Sequence, residues 1–121
     1  MDRLFFGLGA LSALITVVAG AFGAHALRTR LTAEHLAVFE TAARYQMYHA
    51  LALLAVAWAI TRGPSVLPVW AGWLFVVGTL LFSGSLYLLA LTGTRWWGAF
   101  TPLGGVALLL GWLCLVLSVR R

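Results

Sequence analysis

The chain has 121 residues, of which 63% are hydrophobic and only 9% are charged, against roughly 25% charged residues in an ordinary soluble domain. Its few charged side chains cannot cover so much apolar surface in water. The composition therefore excludes a soluble globular protein and predicts one integral membrane domain over residues 1–121. The net charge of +5 does not indicate nucleic-acid binding, because the arginines stand singly or in pairs between apolar stretches, as membrane-surface anchors do.

Four apolar stretches account for most of the chain. Crossing the hydrocarbon takes about 20 residues of helix, and the sequence predicts transmembrane helices near residues 4–26, 42–61, 67–91 and 98–119. Gly63-Pro64 and Pro68 mark the turn between the second and third helices, and Thr92-Gly93-Thr94 marks the last turn. We expect an all-α membrane protein folded as a four-transmembrane-helix bundle.

The stretch before helix 2 is less apolar and has its own pattern. Thr32 is placed to cap a helix, and Leu36, Phe39, Ala43 and Met47 repeat at helical spacing on one face. This pattern predicts an amphipathic lead-in before helix 2. The sequence leaves open whether residues 32–41 lie on the membrane surface or continue into helix 2.

Two helices carry stripes of small residues, which allow membrane helices to approach closely. The stripe on helix 1 is Ser12, Thr16, Gly20 and Ala24, and that on helix 4 is Gly104, Ala107, Gly111, Cys114 and Ser118. Both predict tight packing within the bundle, although either could serve a homo-oligomer instead.

The arginines give a weak indication of orientation. Arg3, Arg62, Arg120 and Arg121 fall on the side of the termini, and the opposite side carries Arg28, Arg30, Arg95 and, unless it is drawn into the membrane, Arg44. With Arg44 drawn in, the positive-inside rule places both termini in the cytoplasm.

Polar side chains collect in the half of the membrane opposite the termini. Every predicted helix contributes some at matching depth, and polar groups in hydrocarbon usually face the interior of a bundle. The sequence therefore predicts a shared polar pocket that opens to that side and is formed by His25, Glu40, Thr41, Arg44, Tyr45, Gln46, Tyr48, His49, Ser83, Ser85, Tyr87 and Thr101.

Few of these residues indicate a specific chemistry. Glu40 and Arg44 are four residues apart on a helix and are predicted to form an ion pair. His25 and His49 lie on neighbouring helices, which is the minimum for bis-histidine haem, but each is more typical of a histidine bonded to a carbonyl or hydroxyl. The sequence shows no nucleophile–base pair, phosphate loop or His-Glu-x-x-His motif. It predicts no catalytic residues, metal site or cofactor, and no enzyme.

Four segments together resemble an uncharacterised family, known as domain of unknown function 423, which includes the small eukaryotic transmembrane protein 256. They are Gly20–Leu27, Thr41–Leu54, Phe82–Tyr87 and Thr101–Gly105. The resemblance implies a four-span protein of the bacterial cytoplasmic (inner) membrane. It brings no established reaction, substrate or cofactor.

Three classes of function follow from the polar pocket. The first is a binding or scaffold role for a lipid, an amphiphile or a partner protein, with Arg44 meeting an anionic group and Tyr45, Tyr48 and His49 as hydrogen-bonding walls. The expected partners are membrane lipids and either a second copy or another membrane protein. The second is passive transport or a pore-forming oligomer, since no acidic residue lies mid-span to carry a coupling proton. The third is a haem- or quinone-associated redox protein.

Overall fold

The computed structural model describes residues 1–119, and all regular structure in that range is helical. This confirms the prediction of an all-α protein. Arg120 and Arg121, which entered the charge count, lie outside the described residues. A short 3-10 helix, Arg95–Ala99, precedes the last of four α-helices, which are α1 (Asp2–His25), α2 (Ala33–Ile60), α3 (Leu67–Thr92) and α4 (Thr101–Ser118).

Three segments are long and apolar enough to cross a membrane, namely α1, α3 and the stretch from Arg95 to Ser118. The helix α2 is not among them, because the polar residues of its first half lower its hydropathy. It is nevertheless the longest helix in the described range, with 28 residues. At about 1.5 Å per residue it measures roughly 42 Å, against about 30 Å for the hydrocarbon core of a bilayer.

The helix α2 begins at Ala33, so residues 33–41 continue into helix 2, which is one of the two arrangements that the sequence left open. The prediction that Thr32 caps it is confirmed, because its hydroxyl accepts a hydrogen bond from the backbone N–H of His35 at 3.2 Å. The apolar face of this first part packs on neighbouring helices. Phe39 lies with Leu27 and Ala90 in a small buried cluster, and burial of that face stabilises residues 33–41 as part of the helix.

The helices pack in chain order, α1 on α2, α2 on α3 and α3 on α4. The central pair is therefore α2 and α3, and within residues 1–119 the outer helices α1 and α4 do not pack extensively on each other. The main core includes Phe5, Ala57, Ala71 and Leu115. These residues bring the start of α1, the end of α2, the start of α3 and the end of α4 to one end of the bundle, called the terminal side below.

The helices approach each other most closely at small residues, as the stripe on helix 4 and part of the stripe on helix 1 predicted. On α4, a Cβ added to Gly104 would lie 2.3 Å from the backbone nitrogen of Phe82, and one added to Gly111 would lie 2.7 Å from the ring of Phe75. The α4 stripe is thus an interface with α3. The α1 stripe is only partly correct, because a Cβ at Gly20 would meet nothing within 4 Å, whereas one at Gly9 would lie 2.7 Å from the carbonyl oxygen of Ala50.

Candidate functional site

Gln46 joins three helices through its amide. It is almost fully buried on α2, and its Nε2 donates to the carbonyl oxygen and to the hydroxyl of Ser12 on α1, both at 3.3 Å. Its Oε1 accepts a hydrogen bond from the hydroxyl of Tyr87 on α3 at 2.7 Å. The sequence placed Gln46 and Tyr87 in a ligand pocket, but the structure uses both to hold α1, α2 and α3 together. The sequence analysis placed Ser12 in the small-residue stripe of helix 1 and did not predict this hydrogen bond.

Three further residues of the predicted pocket also bridge helices. The hydroxyl of Ser83 donates to the carbonyl oxygen of Ala42 at 2.8 Å, which links α3 to α2. The hydroxyls of Ser85 and Thr101 lie 2.7 Å apart and link α3 to α4. Among the described residues, no buried side-chain nitrogen or oxygen lacks a partner. The buried polar groups therefore bond to one another and to backbone carbonyls, and several of these bonds join neighbouring helices.

His49 has both ring nitrogens engaged. Its Nδ1 lies 2.7 Å from the carbonyl oxygen of Tyr45, and its Nε2 lies 3.1 Å from the indole Nε1 of Trp112 on α4. An indole N–H can only donate, so Nε2 accepts and the proton resides on Nδ1. Ligation of haem iron by His49 would require breaking one of these bonds. In residues 1–119, no three His, Cys, Asp or Glu side chains cluster in a way that could hold a metal ion.

Four predicted pocket residues lie away from the buried polar contacts. His25 ends α1 and is exposed, as are Glu40 and Arg44, while the hydroxyl of Thr41 donates to the carbonyl oxygen of Ala37 at 3.0 Å within the same helix. The predicted Glu40–Arg44 ion pair is wrong, because within the described range the only ion pair joins the N-terminal ammonium to Asp2, at 3.7 Å.

A lateral groove lies between α2 and α4, with α3 behind it. It encloses about 580 Å³, which is within the range of about 300–1,000 Å³ typical of small-molecule sites. Three predicted pocket residues, Tyr45, Tyr48 and His49, line it from α2. Phe82 lines it from α3, and the α4 side is formed by Pro102, Gly105, Val106, Leu108, Leu109 and Trp112.

Aromatic rings in mutual contact form the walls of this groove. The ring of Tyr45 lies 4.9 Å from that of Phe82 and 5.5 Å from that of Tyr48, measured between centroids. The ring of Trp112 packs 5.0 Å from that of Phe75 and contacts His49 from α4. These ring contacts and the Trp112–His49 hydrogen bond hold the walls in place, so the groove is preformed.

The free polar groups of the groove are few. Tyr45 and Tyr48 are exposed, and their hydroxyls make no hydrogen bond to another described residue. Sequence reasoning found these two tyrosines and His49, but it missed Phe82 and the α4 wall, whose residues are apolar. Trp112 is the residue from which the α4 wall could have been predicted, since a tryptophan deep in a membrane helix needs a partner for its N–H.

Comparisons with known proteins agree with the resemblance noted in the sequence. A family model described as "Protein of unknown function (DUF423)" matches residues 19–105. A UPF0382 membrane protein of Staphylococcus saprophyticus is 51% identical over 120 residues, covering 98% of each chain. The UPF0382 membrane protein YwdK of Bacillus subtilis is 44% identical over 120 residues, again covering 98% of each. No solved structure matches the chain.

These relatives are bacterial membrane proteins by name, and their names state no activity. The matched segment includes α2, α3 and the first turn of α4, and with them most of the groove. Similarity across nearly the full length, together with the family match, places this chain in the uncharacterised DUF423 family of membrane proteins.

Proposed function

We propose that this protein binds an anionic membrane amphiphile in the lateral groove, within a bacterial cytoplasmic membrane that it crosses four times with its termini in the cytoplasm. The observation that carries the proposal is the groove itself, which is preformed, lined by aromatic and aliphatic side chains, and open at the side of the helices. A chain-bearing ligand could enter it directly from the hydrocarbon.

The fourth span in this proposal is α2. It packs on both α1 and α3, which are long and apolar enough to cross the membrane. From Tyr45 to Ile60 it contains no Asp, Glu or Arg, and its polar residues Gln46 and His49 are satisfied by neighbouring helices. A span of modest hydropathy is supported when its polar side chains face protein.

The polar groups near the groove suggest the chemistry of the ligand. Tyr45 and Tyr48 offer two hydroxyls, and Arg44 directly precedes Tyr45 and lies one helical turn before Tyr48. An arginine near the end of a span extends its guanidinium towards the interface. Exposed arginine and phenol groups beside an apolar groove favour an acyl or isoprenoid chain that bears a negatively charged, hydrogen-bonding headgroup.

Native mass spectrometry of protein extracted gently from its own membranes tests this proposal. We expect the wild type to retain a lipid of defined mass, and we expect Arg44→Ala to lower its occupancy about five-fold, the effect of removing one arginine beside an anionic headgroup. Arg30→Ala is the matched control, because Arg30 is exposed in the α1–α2 connection on the same side of the bundle. An identical lipid profile in the wild type and Arg44→Ala would contradict the proposed headgroup contact.

A further inference from the structure

A second recess lies at the terminal side, at the far end of the bundle from Arg44. It is formed where α2 ends, α3 begins and α4 ends, and it encloses about 230 Å³. The residues that line it are Trp58, Ala59, Arg62, Gly63, Ser65, Pro68, Ser118 and Val119.

Among the described residues that line this terminal recess, Arg62 is the one that is charged. Its guanidinium carbon lies 5.3 Å from the centre of the Trp58 ring, a cation–π arrangement that holds the charge over the indole. No acidic residue is among those lining the recess, and within the described chain Arg62 has no carboxylate within ion-pair distance. Glu34 and Glu40 lie near the start of α2, at the opposite end. Asp2 lies on the same side as Arg62, in a neighbouring cavity, but its carboxylate is 3.7 Å from the N-terminal ammonium. Among the described residues, no carboxylate therefore pairs with Arg62.

The other polar group suited to an anion is the Ser65 hydroxyl. Its oxygen accepts a hydrogen bond from the backbone N–H of Leu67 at 3.3 Å, which leaves its own proton free to donate. The Ser118 hydroxyl is already used, because it donates to the carbonyl oxygen of Leu115 at 2.7 Å. The recess therefore combines a planar guanidinium with one hydroxyl donor, a set that matches the oxygens of a phosphate ester.

We infer that the terminal recess binds the phosphate headgroup of an anionic phospholipid. The remaining walls are apolar, with Ala59, Pro68 and Val119 beside the ring of Trp58, which is 65% exposed. A lipid can place its phosphate against Arg62 and its first methylene groups against this surface, whereas free phosphate would leave the apolar surface uncovered. This site stands apart from the lateral groove, and neither assignment depends on the other.

Titration of the full chain in detergent micelles with phosphatidylglycerol, read by native mass spectrometry, tests the inference. Phosphatidylcholine with the same acyl chains serves as the neutral-headgroup comparison. We expect preferential binding of phosphatidylglycerol, and about a five-fold weaker preference in Arg62→Gln. Arg3→Gln is the matched control, since Arg3 lies on the same side in the first turn of α1 and is not among the residues that line the terminal recess. The cavity that Arg3 lines shares only Trp58 with the recess. We expect Arg3→Gln to bind as the wild type does.

Binding by Arg62→Lys and competition by inorganic phosphate are measured as well. Arg62→Lys retains the charge without the planar fork, so we expect it to bind between the wild type and Arg62→Gln, and it serves in place of Arg62→Gln if that variant fails to insert. We expect millimolar inorganic phosphate to leave the bound phosphatidylglycerol in place. Equal weakening in Arg3→Gln and Arg62→Gln, unchanged binding in Arg62→Gln, or displacement of the lipid by inorganic phosphate would each overturn the inference.

Discussion

The neighbouring glycines Gly104 and Gly105 allow a sharp test of how α4 packs on α3. A Cβ at Gly104 would lie 2.3 Å from the backbone nitrogen of Phe82 and 2.8 Å from its Cα, whereas a Cβ at Gly105 would meet only the ring of Phe82, at 3.8 Å. The first contact is with backbone and cannot be relieved by a rotamer change. The second is an ordinary van der Waals distance.

The expected magnitudes follow from these distances. Replacing glycine by alanine in a helix favours the helix by up to about 1 kcal/mol, and this term is the same for both variants. Overpacking a tight interface costs about 1–3 kcal/mol, and a clash with backbone belongs at the upper end. We therefore expect Gly104→Ala to be about 2 kcal/mol less stable than the wild type and Gly105→Ala to be about 1 kcal/mol more stable.

Reversible unfolding in mixed micelles measures both variants against the wild type. Their difference, about 3 kcal/mol, depends on packing alone because the helix-propensity terms cancel. A difference below about 1 kcal/mol, or a larger loss in Gly105→Ala, would refute the α3–α4 geometry described here, since it would mean that the backbones do not meet at Gly104.

Three other predictions concern single contacts. In a double-mutant cycle, Gln46→Leu and Tyr87→Phe should couple by about 0.6 kcal/mol, the mean for hydrogen bonds between membrane helices, and by no more than about 1.7 kcal/mol, the maximum. Strict additivity would contradict the bond at 2.7 Å. Thr32→Ala should destabilise the fold by about 1 kcal/mol by removing the cap of α2, whereas Thr32→Ser should not, and equal losses would exclude the cap. Because both ring nitrogens of His49 are engaged, the purified protein should show no Soret absorption, and a Soret band lost in His49→Ala would contradict that arrangement.

Helix ends could be predicted well where a proline or a glycine marks them in the sequence. Pro68 is the second residue of α3, in its first turn, and Gly93 follows its last residue with a left-handed backbone at φ 70°. Both residues are visible in the sequence. Hydropathy alone could not decide whether residues 32–41 continue into α2. Residues 33–41 have too many polar side chains for a membrane span, yet Thr32 and Phe39 fix them as helix through a cap and a tertiary contact.

The sequence identified the buried polar residues of the candidate site but not their hydrogen-bond partners. Gln46, His49, Ser83 and Ser85 are the polar residues that the structure buries beyond Thr16, and the sequence selected all four. Periodicity does not give the rotation of one helix against the next, so it could not show which groups on neighbouring helices these residues bond to. The same limit applies to the Glu40–Arg44 prediction. Spacing shows that the two side chains can meet, but it does not show that both are exposed, where an ion pair contributes little to stability.

A substitution at Gly105 tests directly whether the lateral groove is a binding site. Gly105 lines the groove, and the space beyond its Cα is open enough to accept a side chain. Gly105→Leu should fill the groove without disturbing α3. Gly20→Leu is the matched control, because it adds the same side chain to α1 at a position where a Cβ meets nothing within 4 Å.

The most direct measurement is native mass spectrometry of these two variants and of Arg62→Gln, all extracted gently from their own membranes. We predict that Gly105→Leu loses a bound lipid that the wild type, Gly20→Leu and Arg62→Gln all retain, while remaining as stable as the wild type. Retention of that lipid by Gly105→Leu at wild-type occupancy would contradict the claim that the groove binds it.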